Sequence, residues 1–298
     1  MNDLIPGVYS HSGKLGTAAV IVPIGGLIAS VVLSVIYAYV DVYSPIGGYV
    51  SLLFVAGLAF GLGWSISKLG HLARCRNSGF LHLAGLVGGL VALYTSWAVF
   101  EYALIQRFEE GVTVSVLGIF FSPVFVWSYA EALNAVGWYT MFGGTPTGVT
   151  LWVFWGIEAI IIVGGSTLLS TMKIGEEVYC EDCDRWCGRT VDAARFGFPE
   201  EQSELEELRP DNLNPILALD PADSSAAACL RADVWKCETC NDTAALQVKV
   251  CATVTDKDGK SEEKVEDLTQ IWSMPSIMLS EIMNRADHSP DEETPASE

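Results

Sequence analysis

The chain has 298 residues, half of them hydrophobic, and a formal net charge of −19 at pH 7. A length of this order allows one or two domains, and the charge is unevenly shared. Residues 1–172 hold five Lys/Arg against seven Asp/Glu (net −2), whereas residues 173–298 hold twelve against twenty-nine (net −17). The first part is expected to face lipid. The second is acidic and soluble, and its charge excludes binding to a phosphate backbone.

Four apolar runs, residues 18–40, 48–67, 80–100 and 148–172, reach the ~20 residues that a helix needs to cross a hydrocarbon core. Helices are expected because lipid leaves backbone amides unsatisfied in any other open structure. The N-terminus lacks the basic start and short apolar core of a cleaved signal, so the first run is expected to stay as an anchor. Basic residues cluster on one side. Lys14 precedes the first run, Lys68, Arg74 and Arg76 form a topogenic loop between the second and third, Lys173 follows the fourth, and residues 41–47 hold no Lys or Arg. The positive-inside rule then places both termini in the cytoplasm, in a multi-pass protein of the cytoplasmic (inner) membrane.

Residues 112–130 are uncharged for nineteen positions, yet Pro123 interrupts them and Phe125, Trp127, Tyr129, Trp138 and Tyr139 crowd their end. Amphipathic rings favour the headgroup level, so this segment is expected to be interfacial or re-entrant. Within the runs, Gly57-x-x-x-Gly61 and Gly85-x-x-x-Gly89 allow helix backbones to approach closely, within one chain or in a homo-oligomer. Glu158 is the single charge inside a run. An intramembrane carboxylate is costly unless protonated, paired or wet, and His82, Tyr94, Thr95 and Ser96 are its available polar partners. His71 and Cys75 in the basic loop offer two metal ligands, where a structural zinc site needs four.

The strongest chemical signal follows the last run. Cys180-Glu-Asp-Cys183 and Cys237-Glu-Thr-Cys240 supply the four soft ligands of a tetrahedral structural zinc, with sulfurs expected within about 4 Å of one another. Eight cysteines in a reducing compartment favour metal over disulfides. Glu181, Asp182, Asp184 and Glu238 oppose the lowered thiol pKa that a redox pair requires. Val178-Tyr179 and Val234-Trp235 precede the two pairs and suit the strands of a zinc ribbon. Residues 184–236, longer than the usual spacing of about 15–20, are expected to be an acidic, helical insertion, with a helix over 200–208. Cys187, Cys229 and Cys251 are expected as small apolar residues. Residues 245–254 and 264–272 are expected to form a hairpin through Asp256-Lys-Asp-Gly259-Lys. Residues 275–284 form an amphipathic helix that packs on the domain or rests at the membrane, and 287–298 form a disordered acidic tail.

The fold class expected is thus a bundle of four transmembrane helices plus an interfacial segment (1–172), then a small, mainly β, zinc-ribbon-like domain (173–286). The Arg74-Cys-Arg-Asn77 loop, Ser96-Trp97, the run of Pro123, Trp127 and Ala132 to Trp138, and a last run with Trp and Glu158 before Tyr179-Cys180-Glu181 resemble a set of uncharacterised bacterial polytopic membrane proteins. The resemblance spans most of residues 50–190 and implies the architecture alone. No Ser/His/Asp constellation, phosphate loop or dinucleotide fingerprint is visible. The expected function is therefore non-enzymatic: interaction or assembly through the cysteine domain, with a basic protein as the partner its charge would attract. A small transporter or channel using Glu158 and a membrane thiol oxidoreductase are the alternatives.

Overall fold

A computed structural model describes residues 6–44, 51–109, 111–139, 143–199, 203–223, 226–255 and 261–287. The chain divides into two units, one of Met1–His11 with Glu176–Glu298 and one of Ser12–Gly175.

The second unit is helical. Its long helices are α1 (Ala18–Tyr43), α2 (Ser51–Leu72), α3 (Ser78–Phe108) and, after two short ones, α6 (Gly148–Leu169). At 1.5 Å per residue, α1 and α3 run to about 39 and 46 Å, and α2 and α6 to about 33 Å. All four are long and apolar enough to cross a membrane. Helix α1 buries Ala18, Val22, Gly26, Ser30, Ser34, Ala38 and Val42. This strict four-residue repeat is one stripe of mostly small side chains, which lets backbones come close where lipid offers no hydrophobic drive. Across it, the Ser34 hydroxyl donates to the carbonyl of Ala92 at 2.9 Å.

Gly85 and Gly89 pack α3 directly on α6. A Cβ on Gly85 would lie 2.7 Å from the Ser166 carbonyl oxygen, and one on Gly89 would lie 2.9 Å from the Val163 Cα. This pair therefore serves contacts within one chain. Gly57 has nothing within 4 Å, and the close approach on α2 is instead at Gly63, against Leu169 and Ser166.

The segment 112–130 forms α4 (Val116–Phe120) and α5 (Pro123–Val136), broken where Pro123 starts the second helix. Fourteen residues make α5 about 21 Å long, short of the ~30 Å hydrocarbon core. Its aromatic flank is exposed at Phe121 and Trp127, while Ile119 and Val126 pack on Ala98 and Ile105 of α3.

The other unit is built on an antiparallel sheet of β1 (Gly7–Val8), β8 (Trp272–Pro275), β6 (Thr243–Thr255), β5 (Ala228–Lys236) and β4 (Gly188–Gly197), in that order, with β7 (Ser261–Asp267) also beside β6. The first residues of the chain thus belong with its last strands, through Val8 opposite Trp272. Alternation sends Leu230, Ala232 and Val234 of β5 to one face, where they meet Leu246, Val248, Phe196 and Met274. Helix α9 (Ser276–Asp287) covers this face with Leu279 and Ile282, so the amphipathic helix expected over 275–284 packs on its own domain.

The expected helical insertion needs correcting. Residues 184–236 contribute β5 and the edge strand β4 to the sheet, and their helices α7 (Ser203–Glu206) and α8 (Asn214–Leu217) are single turns. These strands carry little local sequence signal because their second face is charged. Asp233 is fully buried there, ringed by Arg189 at 3.0 Å, Arg231 at 3.3 Å and Lys249 at 3.6 Å. Strands β6 and β7 pair as the expected hairpin. Its turn, 256–260, and the tail beyond 287 lie outside the described residues.

Candidate functional site

The two Cys-x-x-Cys turns are shaped by strands. The first follows β2 (Tyr179–Cys180) and returns into β3 (Arg185–Trp186), with Cys180 opposite Arg185. The second joins β5 to β6, where the Cys237 amide donates to the Thr243 carbonyl at 3.0 Å. In both, the residue after the second cysteine takes a left-handed backbone: Asp184 at φ 49° and Asn241 at φ 59°. Asp and Asn are, after glycine, the residues that tolerate it best.

The turns bring Cys180, Cys183, Cys237 and Cys240 together, with all four sulfurs within 4.8 Å of one another. This is looser than the expected 4 Å for the set, but Cys180 Sγ and Cys240 Sγ stand 3.7 Å apart. Zinc–thiolate bonds of about 2.3 Å in a tetrahedron separate sulfurs by ~3.8 Å. The tetrad could hold a metal ion. Polar groups point at the sulfurs: the Thr243 hydroxyl donates to Cys180 at 3.1 Å and the Asp242 amide to Cys240 at 3.4 Å. Val178, Trp235 and Ala245 floor the site, with Tyr9 from the start of the chain against them. Arg185 bridges to the second turn through Thr239 at 2.7 Å and Glu238 at 3.5 Å.

Thiol acidities diverge across the tetrad. Burial raises Cys237, but the amides of Cys240 and Thr239 and the neighbouring thiols outweigh it and bring Cys237 down to about 6. The amides of Thr243 and Asp242 likewise lower Cys240. Burial and the other thiols push Cys183 up to about 12. One thiolate therefore forms at the expense of the next, and a divalent cation is the charge that lets all four ionise together.

The remaining cysteines differ from expectation. Cys229 and Cys251 face each other across β5 and β6 and form a disulfide with a Cα–Cα distance of 5.2 Å; they are not spare thiols. Glu263 lies beside them, but bonded sulfurs leave no ligand pair. Cys187 is a buried free thiol at the edge of the tetrad, and burial pushes it up to about 12.

In the helical unit, the basic residues gather at one end. The Arg76 amide donates to the Lys14 carbonyl at 2.9 Å, the Thr17 hydroxyl reaches the Ala73 carbonyl, and the Lys173 amide donates to Ser67. Lys14, Lys68, Arg74, Arg76 and Lys173 thus share an end, and Arg107 alone lies toward the other. Cys75 in this turn is buried with its thiol toward the Asn77 carbonyl, and its neighbour His71 brings the ligand count only to two.

Glu158 sits midway along α6 and lines a cavity shared with Leu93, Ser96 and Trp97 of α3. His82 is elsewhere, 3.3 Å from Thr171 near the basic end, and Tyr94 donates to the Phe120 carbonyl at 2.5 Å. The carboxylate that shares the cavity is Asp41, which accepts from Ser51 at 3.1 Å. Burial, then the charges of Glu158 and Asp41, push the nearby Tyr139 phenol up to about 12. Asp41 and Glu101 were outside the runs read from sequence, because a hydropathy window stops at the first charge while α1 and α3 continue past it. Glu101 is fully buried, and neither of its carboxylate oxygens has a hydrogen-bond partner among the described residues.

The chain matches no protein-family model, and no curated protein or solved structure matches it significantly.

Proposed function

We propose that this is a multi-pass protein of the cytoplasmic membrane whose strand-rich unit is a zinc-ribbon-like module on the cytoplasmic side, serving protein interaction or assembly and not turnover. The observation that carries this reading is the convergence of four cysteine sulfurs from two strand turns. Four thiols and no open position for a substrate-bearing water are the chemistry of a closed structural zinc. Such an ion fixes the turns and so the surface around them. The net charge of −17 on residues 173–298 favours a basic partner over nucleic acid or an anionic leaflet. The gathering of basic residues at one end of the helical unit supports the orientation. The architecture also fits the resemblance to bacterial polytopic membrane proteins, to which we assign the chain as a proposal.

The test is metal analysis of the purified full chain. About one zinc per chain is expected, with loss of the ion and of the strand-rich unit's thermal transition in a Cys180→Ser/Cys237→Ser variant. Metal-free protein that catalyses thiol–disulfide exchange would replace this reading with the oxidoreductase one.

A second reading rests on one observation, the cavity that joins Asp41 and Glu158 inside the helical unit. Two carboxylates in a cavity between spans are the elements of a small transporter or channel. Flux through the full chain in liposomes, abolished by Glu158→Gln with the protein intact, is its test.

A further inference from the structure

Beyond the cysteine module, the cavity in the helical unit has a lining that selects one kind of ligand. Its walls come from α1, α2, α3, α6 and the residues after α5. Glu158 lies ten residues into α6, about 15 Å from that helix's start, while Asp41 lies near the end of α1. The cavity therefore runs from the end of the unit away from the basic turn toward the middle of α6.

Half of the residues lining it are aromatic, and the rings meet as perpendicular walls. Trp97 stands edge-on to Trp155 at 4.7 Å and 87°, and Phe100 to Trp138 at 4.9 Å and 90°. Tyr37 and Tyr139 complete the set. Among the described residues, no Lys, Arg or His lines the cavity. Arg107, the nearest cation in sequence terms to this end, is committed to the Val42 carbonyl and lies over the Tyr43 ring at 5.3 Å.

These facts eliminate most ligand classes. An anion is repelled by two carboxylates, and a neutral apolar ligand supplies no counter-charge to either of them. A hard metal ion wants about six oxygens around it, whereas half of the residues lining this cavity present aromatic rings. What remains is two carboxylates and a box of ring faces, the combination that holds an organic cation by ion pairing and cation–π attraction together. Size narrows it further. The internal volume is about 40 Å³, where one water needs ~10–15 Å³ on the same measure. That space suits an ammonium group with one or two carbons better than a trimethylated one.

We propose that this cavity binds a primary ammonium group, two of whose N–H donors reach Asp41 and Glu158 while its alkyl stem lies against Trp97 and Trp155. The proposal rests on the second reading above, that the cavity is functional, and names the chemistry of its occupant. A primary ammonium has two sources at a membrane: a small soluble amine, or the ethanolamine headgroup of a lipid.

The experiment uses the full chain in phosphatidylcholine nanodiscs, titrated with ethylammonium at constant ionic strength and followed by tryptophan emission. A saturable change is expected, with none from tetramethylammonium, and with affinity at least tenfold weaker in Asp41→Asn and in Glu158→Gln. Repeating the titration in discs containing phosphatidylethanolamine separates the sources. Competition that weakens ethylammonium several-fold identifies the lipid headgroup, and an unchanged titration identifies the soluble amine. No saturable response, an equal response to tetramethylammonium, or full affinity retained in both variants overturns the proposal. Where the variants do not fold, discrimination between the two ammonium ions by the unmodified chain decides. Proton flux through Glu158 without ammonium binding would overturn the ligand and leave the transport reading standing.

Discussion

Replacing Asp233 by Asn tests whether the charged face of the sheet holds the strand-rich unit together. Asp233 is fully buried on β5. Its carboxylate accepts from the Asp192 amide at 2.9 Å and meets Arg189 at 3.0 Å, Arg231 at 3.3 Å and Lys249 at 3.6 Å. Asn keeps the hydrogen bond from the Asp192 amide at Oδ1 but turns a donor toward two cations, Arg189 and Lys249. Removing one partner from a buried ion cluster costs about 3–5 kcal/mol. The lower end applies, because Arg189 and Lys249 retain Glu176 at 2.8 Å and Asp267 at 2.9 Å. A loss of about 3 kcal/mol corresponds to roughly 10 °C in Tm for a unit of this size, read from tryptophan emission, since Trp235 lies under Arg189 at 4.9 Å.

The pH dependence follows from the sign of the shift. Burial raises the Asp233 carboxyl, but the Asp192 amide, Arg189, and the charges of Arg231 and Lys249 outweigh it and hold the group below its ordinary range. A depressed native pKa gives stability that is complete above the unfolded value of about 3.9 and is lost as pH falls through the native one. The Tm gap between native chain and Asp233→Asn should therefore be full at pH 7 and close below about pH 4. Glu176→Gln, at the exposed rim of the same cluster, should cost under about 1 kcal/mol. Equal Tm values for Asp233→Asn and the native chain at pH 7, or a gap that widens in acid, would refute the reasoning.

Gly89→Leu should lower the thermal stability of the helical unit in detergent by about 1–3 kcal/mol, because its side chain meets α6 backbone, whereas Gly57→Leu should be tolerated; size-exclusion profiles and melts of both variants check this. Asn241→Gly should preserve metal content, while Asn241→Val should weaken it, since a β-branched residue in the left-handed region costs about 1–2 kcal/mol. Alkylation of the denatured chain should count six thiols before reduction and eight after it, and eight at the outset would remove the Cys229–Cys251 bond.

What was legible in the sequence depended on whether the signal was local. Uninterrupted apolar runs exposed the four long helices, and each cysteine pair announced a turn by itself. Their convergence across residues 184–236 was an inference from chemistry, and the sheet that achieves it was hidden. Strand β4 carries Arg189, Asp192 and Arg195, and β5 sets Arg231 and Asp233 between its core residues Leu230, Ala232 and Val234, so in the sequence both read as charged surface segments. Only register makes those charges neighbours. The same holds for Cys229 and Cys251, which are 22 residues apart and pair because β5 and β6 do. The two-residue strand Gly7–Val8 has no local signature at all; it exists because β8 offers an edge. Asp41 and Glu101 were missed for the opposite reason, since packing carried α1 and α3 beyond the point where apolarity ends.

The disulfide and the basic end of the helical unit pull the orientation in opposite directions, and physical access removes the disulfide's pull. Disulfides are rare in a reducing cytosol, yet exchange requires a thiolate to reach a sulfur, and Cys229 and Cys251 are 0% and 1% exposed between central strands. A bond so placed persists as long as the unit stays folded. The tetrad makes the complementary point, because four clustered thiols in an oxidising compartment would pair with each other unless a metal held them. Neither feature therefore fixes the side. The helical unit supports the cytoplasmic side proposed above: five of its six Lys/Arg lie at the end where the chain enters at Lys14 and leaves at Lys173, and a strand-rich unit made of Met1–His11 with Glu176–Glu298 agrees with an even number of crossings. Four spans with that end in the cytoplasm satisfy both conditions. In intact cells, an Asp291→Cys variant should take up no more membrane-impermeant maleimide than the native chain, and should gain label once the membrane is opened. Extra label before opening would reverse the orientation and place the cysteine tetrad outside.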